Sequence, residues 1–230
     1  MDNSADAPSQ GRRLWRWSRW QVIGIAALAL LALAISSLFA DDGAHTLDRG
    51  LMLALRTPGT TDDPLGPKWF EDVMRDMTAL GGIGVVIGST LVLCGWFMLR
   101  RRLGDIAILA GSLVGAQVLS AIAKFFISRP RPDLVSYEAE IYSASFPSGH
   151  TLMATVAYVT FAMLLAADVG DRRSREFLLG VAWVAAIAVG VSRIYLGVHW
   201  PSDVLAGWAI GALWMIAMSR LIPRLQWRHG

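Results

Sequence analysis

The sequence predicts an all-α integral membrane bundle of six transmembrane helices, with both termini cytoplasmic and short interfacial helices in the first outer loop. Three observations carry that expectation. The 230 residues are 54% hydrophobic and only 17% charged, with ten tryptophans and a mean hydropathy of +0.46, a balance that a water-soluble domain of this length does not have. Uncharged apolar runs recur at Gln21–Ala40, Met77–Leu99, Ile106–Ala123, Thr151–Ala167, Phe177–Ser192 and Val204–Ser219. Arginine clusters follow only alternate runs, the bias that marks cytoplasmic connections.

Residues 1–20 form a cytoplasmic tail in which Arg12, Arg13, Arg16 and Arg19 alternate with Trp15, Trp17 and Trp20. Basic residues hold the inner face and indoles sit at headgroup level, so no nucleic-acid partner is called for. The first run is longer than the usual signal-peptide core of about 7–15 residues, and Leu38 is a poor partner for Ala40 in a cleavage site, so it is read as a span. The connection Asp41–Asp76 carries eight acidic and four basic side chains and lies outside. Within it Leu47, Leu51 and Leu55 repeat at helical spacing, and Pro67-Lys68-Trp69-Phe70 opens a second amphipathic stretch with Val73, Met74 and Met77. Both are expected to lie on the outer surface.

The second and third runs reach the length of about 17–20 residues that a bilayer requires, as does the fourth. The fifth and sixth reach it if Arg193 lies at a membrane face and Arg220 snorkels. Arg100–Arg102, then Arg172, Arg173 and Arg175, then Arg220, Arg224 and Arg228 follow the second, fourth and sixth runs. With the N-terminal tail these segments hold 13 of the 21 Lys and Arg residues. Loops 41–76, 124–150 and 193–203 are therefore outside. The single cysteine, Cys94, falls within the second run, which excludes a disulfide framework and a thiolate zinc site. Gly81, Gly82, Gly84 and Gly88 permit close helix contact, and Gly207 and Gly211 form a small-xxx-small pair. One domain, residues 21–222, is expected between tails 1–20 and 223–230.

Three stretches carry chemistry. Lys124 and Arg131 are seven apart, but Pro130 and Pro132 break the helix between them. Lys124 then stands on the last helical turns and Arg131 on an extended segment, both able to converge at the membrane surface. Arg129 reads as a headgroup contact. Ser145-Phe146-Pro147-Ser148-Gly149-His150-Thr151 turns a polar loop into an apolar helix, where Ser148 can cap and the first-turn N–H groups offer an anion site. His150 beside it is a candidate proton donor. After the fifth run, Pro201 suits a first helical turn, which sets Asp203 one turn beyond His199. A carboxylate there can accept the Nδ1 proton, leaving Nε2 free to attack an electrophile.

Lys124-x6-Arg131-Pro132, then Pro147-Ser148-Gly149-His150, then Ser192-Arg193-x5-His199-x3-Asp203 resembles the three-part signature of the phosphatidic acid phosphatase type 2 superfamily. The resemblance spans residues 124–203 by motif and nearly the whole chain by topology. It implies an integral-membrane lipid phosphatase of the inner membrane, active on its outer face, that hydrolyses a phosphate or diphosphate monoester on a membrane lipid without metal or other cofactor. His199 would be the nucleophile that forms a phosphohistidine, Asp203 would orient it, and His150 would protonate the leaving oxygen and later activate water. Lys124, Arg131 and Arg193, with Ser148 and the Gly149 N–H, would hold the phosphoryl oxygens.

Other readings of the same residues are weaker. Two histidines and a carboxylate resemble a facial metal triad, but three neighbouring cations would repel a divalent ion. Vanadium-dependent haloperoxidases share the signature and are soluble. A non-catalytic lipid carrier would leave the two histidines and Asp203 at one face without a purpose. The substrates to which the resemblance points are a polyprenyl diphosphate, phosphatidylglycerophosphate, phosphatidic acid or a lipid A phosphate. The compact architecture favours undecaprenyl diphosphate or phosphatidylglycerophosphate.

Overall fold

The computed structural model describes residues 23, 46–134 and 144–226. Seven helices follow one another there: α1 (Thr46–Leu53), α2 (Lys68–Ala79), α3 (Ile83–Leu99), α4 (Leu103–Phe126), α5 (Gly149–Ala166), α6 (Arg172–Tyr195) and α7 (Pro201–Gln226). Helices α4 to α7 are each long and apolar enough to cross a membrane, and α2 with α3 qualify as one broken span bent by 51°. The chain is an all-α helical membrane protein with four candidate spans, or five if the bent pair is one. The first expected span, Gln21–Ala40, lies outside the described residues apart from Ile23, as does the N-terminal tail.

The expected second span, Met77–Leu99, is not continuous. Its first residues complete α2, and the chain breaks at Leu80–Gly82 before α3 begins. Gly81 makes the break fit: a Cβ there would lie 2.6 Å from the Val189 side chain and 2.9 Å from the His150 carbonyl oxygen. Tyr158 of α5 donates its hydroxyl to the Leu80 carbonyl at 2.7 Å, which satisfies a backbone group freed by the break. By contrast a Cβ at Gly84 or Gly88 would meet nothing within 4 Å among the described residues.

Helix α5 is apolar all round and is the centre of the bundle. Leu152, Val156, Val159, Phe161 and Leu164 are all buried. Around it α4 and α6 bury one side and expose another, with Val114, Val118 and Ile122 on α4 and Val181, Val184 and Ile187 on α6 left for lipid. Among apolar neighbours water no longer drives helix against helix, so close contact through small residues takes over. Gly207 and Gly211 of α7 sit directly on α5: side chains there would come within 3.0 Å of Thr151 Cβ and 2.9 Å of Thr155 Cβ. Gly190 of α6 receives the Trp208 indole, whose Nε1 donates to the Ala186 carbonyl at 2.9 Å.

Helix α1 docks by one face and leaves its leucines on the other. Leu47 and Leu51 are exposed, whereas Asp48 and Met52 are buried, Met52 against Leu134 and Trp200. Asp48 and Met52 together dock this helix. Helix α2 turns Phe70 and Met74 towards Tyr195, Leu196 and Val198, and leaves Trp69 exposed. At the end of the bundle where α4 and α6 begin, Arg102 pairs with Asp105 and Asp168, tying the α3–α4 turn to the turn after α5. The residues singled out for chemistry lie at the opposite end.

Candidate functional site

Four helix ends build the site: the last turns of α4 and α6, the first turns of α5 and α7. Helix α4 ends at Phe126, so Lys124 stands on its last turn and Arg131 beyond it, in the segment made extended by Pro130 and Pro132. Arg193 lies on the last turn of α6, His150 is the second residue of α5, and Asp203 the third of α7. His199 occupies the turn between α6 and α7.

Hydrogen bonds between loops close these ends on one another. The Ser145 N–H donates to the Arg129 carbonyl at 2.9 Å and the Ser148 N–H to the Asp203 carbonyl at 3.1 Å. The Trp200 indole donates to the Pro130 carbonyl at 3.0 Å. Lys124 Nζ donates to the Ala144 carbonyl at 2.6 Å, and Arg131 Nη1 to the Val198 carbonyl at 3.2 Å. Arg193 is buried within the protein and not at a lipid face; its Nη1 donates to Thr78 Oγ1 at 3.2 Å.

Ser148 occupies the N-cap position of α5 with extended backbone but makes no capping bond with its side chain. Its hydroxyl instead accepts from Thr151 Oγ1 at 2.9 Å. The Gly149, His150 and Thr151 N–H groups, on the first turn, have no carbonyl four residues back within the helix, which is what makes a helix start attractive to anions. Gly149 faces Ser120 Oγ, 4.0 Å from where a Cβ would be. His150 is half-buried.

His199 is 1% exposed and Asp203 fully buried. The expected direct bond between them is not made. Asp203 Oδ2 is 3.6 Å from Nδ1, too long for a hydrogen bond, and the Ser145 hydroxyl stands between them, 3.3 Å from Nδ1 and donating to the same Oδ2. The carboxylate also accepts from the Trp200 N–H at 3.0 Å and from Arg129 Nη1 at 2.8 Å. With Ser145 donating to Asp203, its oxygen is left to accept Nδ1–H, so the imidazole is held as the Nδ1 tautomer through the serine. Nε2 faces the other way, 3.5 Å from Arg131 Nη1. Burial lowers the pKa of His199 to about 4; Asp203 opposes the shift, and the charges of Arg193 and Arg131 add to it.

Arg129 is the residue the sequence misassigned. It is buried, not at the headgroups, and its guanidinium bridges Asp203 and Asp48, each at 2.8 Å, while donating to Ser202 Oγ at 2.6 Å. Ser145 and Asp48 were given no role by sequence reasoning. Ser145 sits inside the loop motif and could have been weighed as a hydroxyl two residues before the turn proline; Asp48 gives no local signal at all. Among the described residues, no three His, Cys, Asp or Glu side chains cluster to hold a metal ion.

Comparison with known proteins bears on this arrangement. The family model of the PAP2 superfamily matches residues 105–227. Phosphatidylglycerophosphatase B of Bacillus subtilis is 31% identical over 63% of this chain and 71% of its own length. An undecaprenyl-diphosphatase of Sulfolobus acidocaldarius is 34% identical over 54% of this chain and 56% of its own. Among solved structures, the transmembrane PAP2-type phosphatidylglycerolphosphate phosphatase of Bacillus subtilis superposes with a TM-score of 0.73 at 25% identity, covering 90% of this chain and 97% of that one.

Proposed function

Because the chain belongs to the PAP2 superfamily and is a membrane lipid phosphate phosphatase, we propose that it works through a phosphohistidine on His199 at the outer membrane face, with undecaprenyl diphosphate or phosphatidylglycerophosphate as substrate. The observation that carries the mechanism is the polarity of the His199 ring: Nδ1 lies against Ser145 and Asp203, and Nε2 borders the Arg131 guanidinium. The lone pair that can attack is therefore on the side of the cations that would hold a phosphoryl group.

In the first step Nε2 bonds to phosphorus and the bond to the lipid oxygen breaks, with His150 giving that oxygen a proton. Positive charge then grows on the imidazole, and Asp203 stabilises it through Ser145. Lys124, Arg131 and Arg193, with the Ser148 hydroxyl and the Gly149 N–H, bind the three equatorial oxygens, whose charge changes most in the transition state. In the second step His150 takes a proton from water, the oxygen attacks phosphorus, the P–N bond breaks and inorganic phosphate leaves. A buried neutral His199 suits the first step, since no proton has to be removed before attack.

The finer topology belongs to the same proposal. Residues 21–222 form one phosphatase domain with six spans, Gln21–Ala40 the first, between cytoplasmic tails 1–20 and 223–230; α1 and α2 lie at the outer interface. The arginine bias supports this orientation. The relatives named for phosphatidylglycerophosphate and undecaprenyl diphosphate support the choice of substrate, ahead of lipid A phosphates and phosphatidic acid. The test is phosphate release from a panel of these four lipids by the purified protein, with EDTA and with vanadate. The expected result is turnover that survives EDTA, is inhibited by vanadate and is fastest on one of the first two lipids. Loss on chelation with recovery on adding a divalent metal would overturn the mechanism. For orientation, a cysteine replacing Asp62 should react with an impermeant thiol reagent in intact cells, and one replacing Arg173 should not.

A further inference from the structure

Asp48 lies on α1, far in sequence from the three motifs, yet it is buried at 4% exposure against the support of the nucleophile. Its Oδ1 accepts from the Ser202 N–H at 3.0 Å, in the first turn of α7. Its Oδ2 accepts from the Ser202 hydroxyl and from Arg129 Nη2, the latter at 2.8 Å. Arg129 in turn holds Asp203 Oδ1 at 2.8 Å, and Asp203 Oδ2 meets Ser145, which meets His199. The path from α1 to the imidazole is thus one unbroken series of hydrogen bonds among buried side chains. The Trp200 ring closes it on one side, 5.4 Å from the Arg129 guanidinium.

We infer that Asp48 is a positioning residue for the nucleophile, acting through Arg129 and Asp203, and that the outer-loop helix α1 is therefore part of the catalytic apparatus and not only surface cover; this rests on His199 being the nucleophile. Two arguments support it. The first is geometric. Arg129 has one fork for two carboxylates; with Asp48 in place, the orientation of the guanidinium towards Asp203 is set from behind. The second is electrostatic. Two carboxylates and one guanidinium leave one negative charge in a dry cluster, and that charge favours the positive charge that appears on His199 when Nε2 bonds to phosphorus. Without the carboxylate of Asp48, Arg129 and Asp203 neutralise each other and that stabilisation of the transition state is weakened. Asp48 touches neither phosphate nor lipid, so its loss should fall on the chemical step and not on binding.

The experiment uses the full chain in detergent micelles with phosphatidylglycerophosphate as probe. Phosphohistidine formation is followed by rapid quench, alongside KM, inhibition by inorganic phosphate and thermal stability. Asp48→Asn keeps the shape and an acceptor for the Ser202 N–H, and should slow phosphohistidine formation about 10- to 100-fold, the size of loss seen when a hydrogen-bond partner behind a metal-bound histidine is removed, with KM and phosphate inhibition unchanged. Asp48→Glu should recover part of the rate. In an Asp203→Asn background the same substitution should have little further effect, since both act on one path. If Asp48→Asn does not fold, Arg129→Lys serves instead: it keeps the charge but cannot span both carboxylates, and the same selective loss of rate is expected. Phosphohistidine formed at the wild-type rate in the folded variant, or a loss fully additive with Asp203→Asn, would overturn the inference. Wild-type protein that turns over without forming phosphohistidine would instead overturn the mechanism on which it rests.

Discussion

Each end of the bundle carries an arginine between two aspartates, and the two clusters differ in water. At the end away from the site, Arg102 joins Asp105 and Asp168, and the Asp168 side chain is 42% exposed. At the site end, Arg129 joins Asp48 and Asp203, and none of the three side chains exceeds 6%. The first cluster ties two turns together with one carboxylate still hydrated, so replacing that partner costs little. The second has no water to fall back on. Removing Arg129 from such a dry cluster would leave two carboxylates uncompensated and cost on the order of 3–5 kcal/mol, which is why a fold that only needed tying would use a cheaper device. A dry ionic cluster against a buried histidine is better explained by what the histidine must do.

That comparison is broken most sharply at the proposed nucleophile. His199→Ala should abolish phosphohistidine and nearly all turnover. Asp203→Asn should fold and lose about 10²- to 10⁴-fold in kcat, by analogy with the carboxylate of hydrolytic triads. His150→Ala should impair departure of a lipid alkoxide, yet matter less for p-nitrophenyl phosphate, whose leaving group needs no proton. Rapid-quench trapping in the four proteins, wild type included, reads all three effects. Phosphohistidine in His199→Ala, with none in His150→Ala, would invert the two roles.

A second measurement concerns acid. His199 is held neutral down to about pH 4 by its burial, so the acid limb of kcat/KM that belongs to the enzyme should lie near there and not near 6.5, once the ionisation of the substrate phosphate is divided out. The stability consequence has a definite sign. The unfolded chain binds the proton at its ordinary pKa while the folded one resists it, so this contribution is complete above 6.5 and is lost as pH falls towards 4. Thermal unfolding in detergent between those values should show a decline that His199→Gln lacks. The smallest effect is expected at the other end of the bundle: Asp168→Asn should leave both kcat and thermal stability close to wild type. A loss there as large as that at Asp48 would show that exposure does not separate the two clusters.

Much of this protein is decided by local pattern. The apolar runs mark α4 to α7, because a membrane span requires length and apolarity and nothing else from its neighbours. The placement of Lys124, Arg131, His150, Arg193, His199 and Asp203 at helix ends on one side of the bundle is legible too, since proline breaks and single-turn spacings act within a few residues. What the sequence could not determine is which groups those ends would meet. Arg129 reads as a headgroup contact until a carboxylate 81 residues earlier is seen to face it, and Ser202 meets that same Asp48 across 154 residues. Leu47 and Leu51 give the period of an amphipathic helix, but nothing in that period picks out the adjacent Asp48 and Met52 as the residues that dock. The Asp203–His199 pair has the right spacing for a direct bond, and Ser145, brought in from another loop, takes the position between them. Periodicity and spacing report on contacts within a turn or two of helix; a partner that arrives from another helix leaves no trace in them, and its charge is recognised only once the chain has folded.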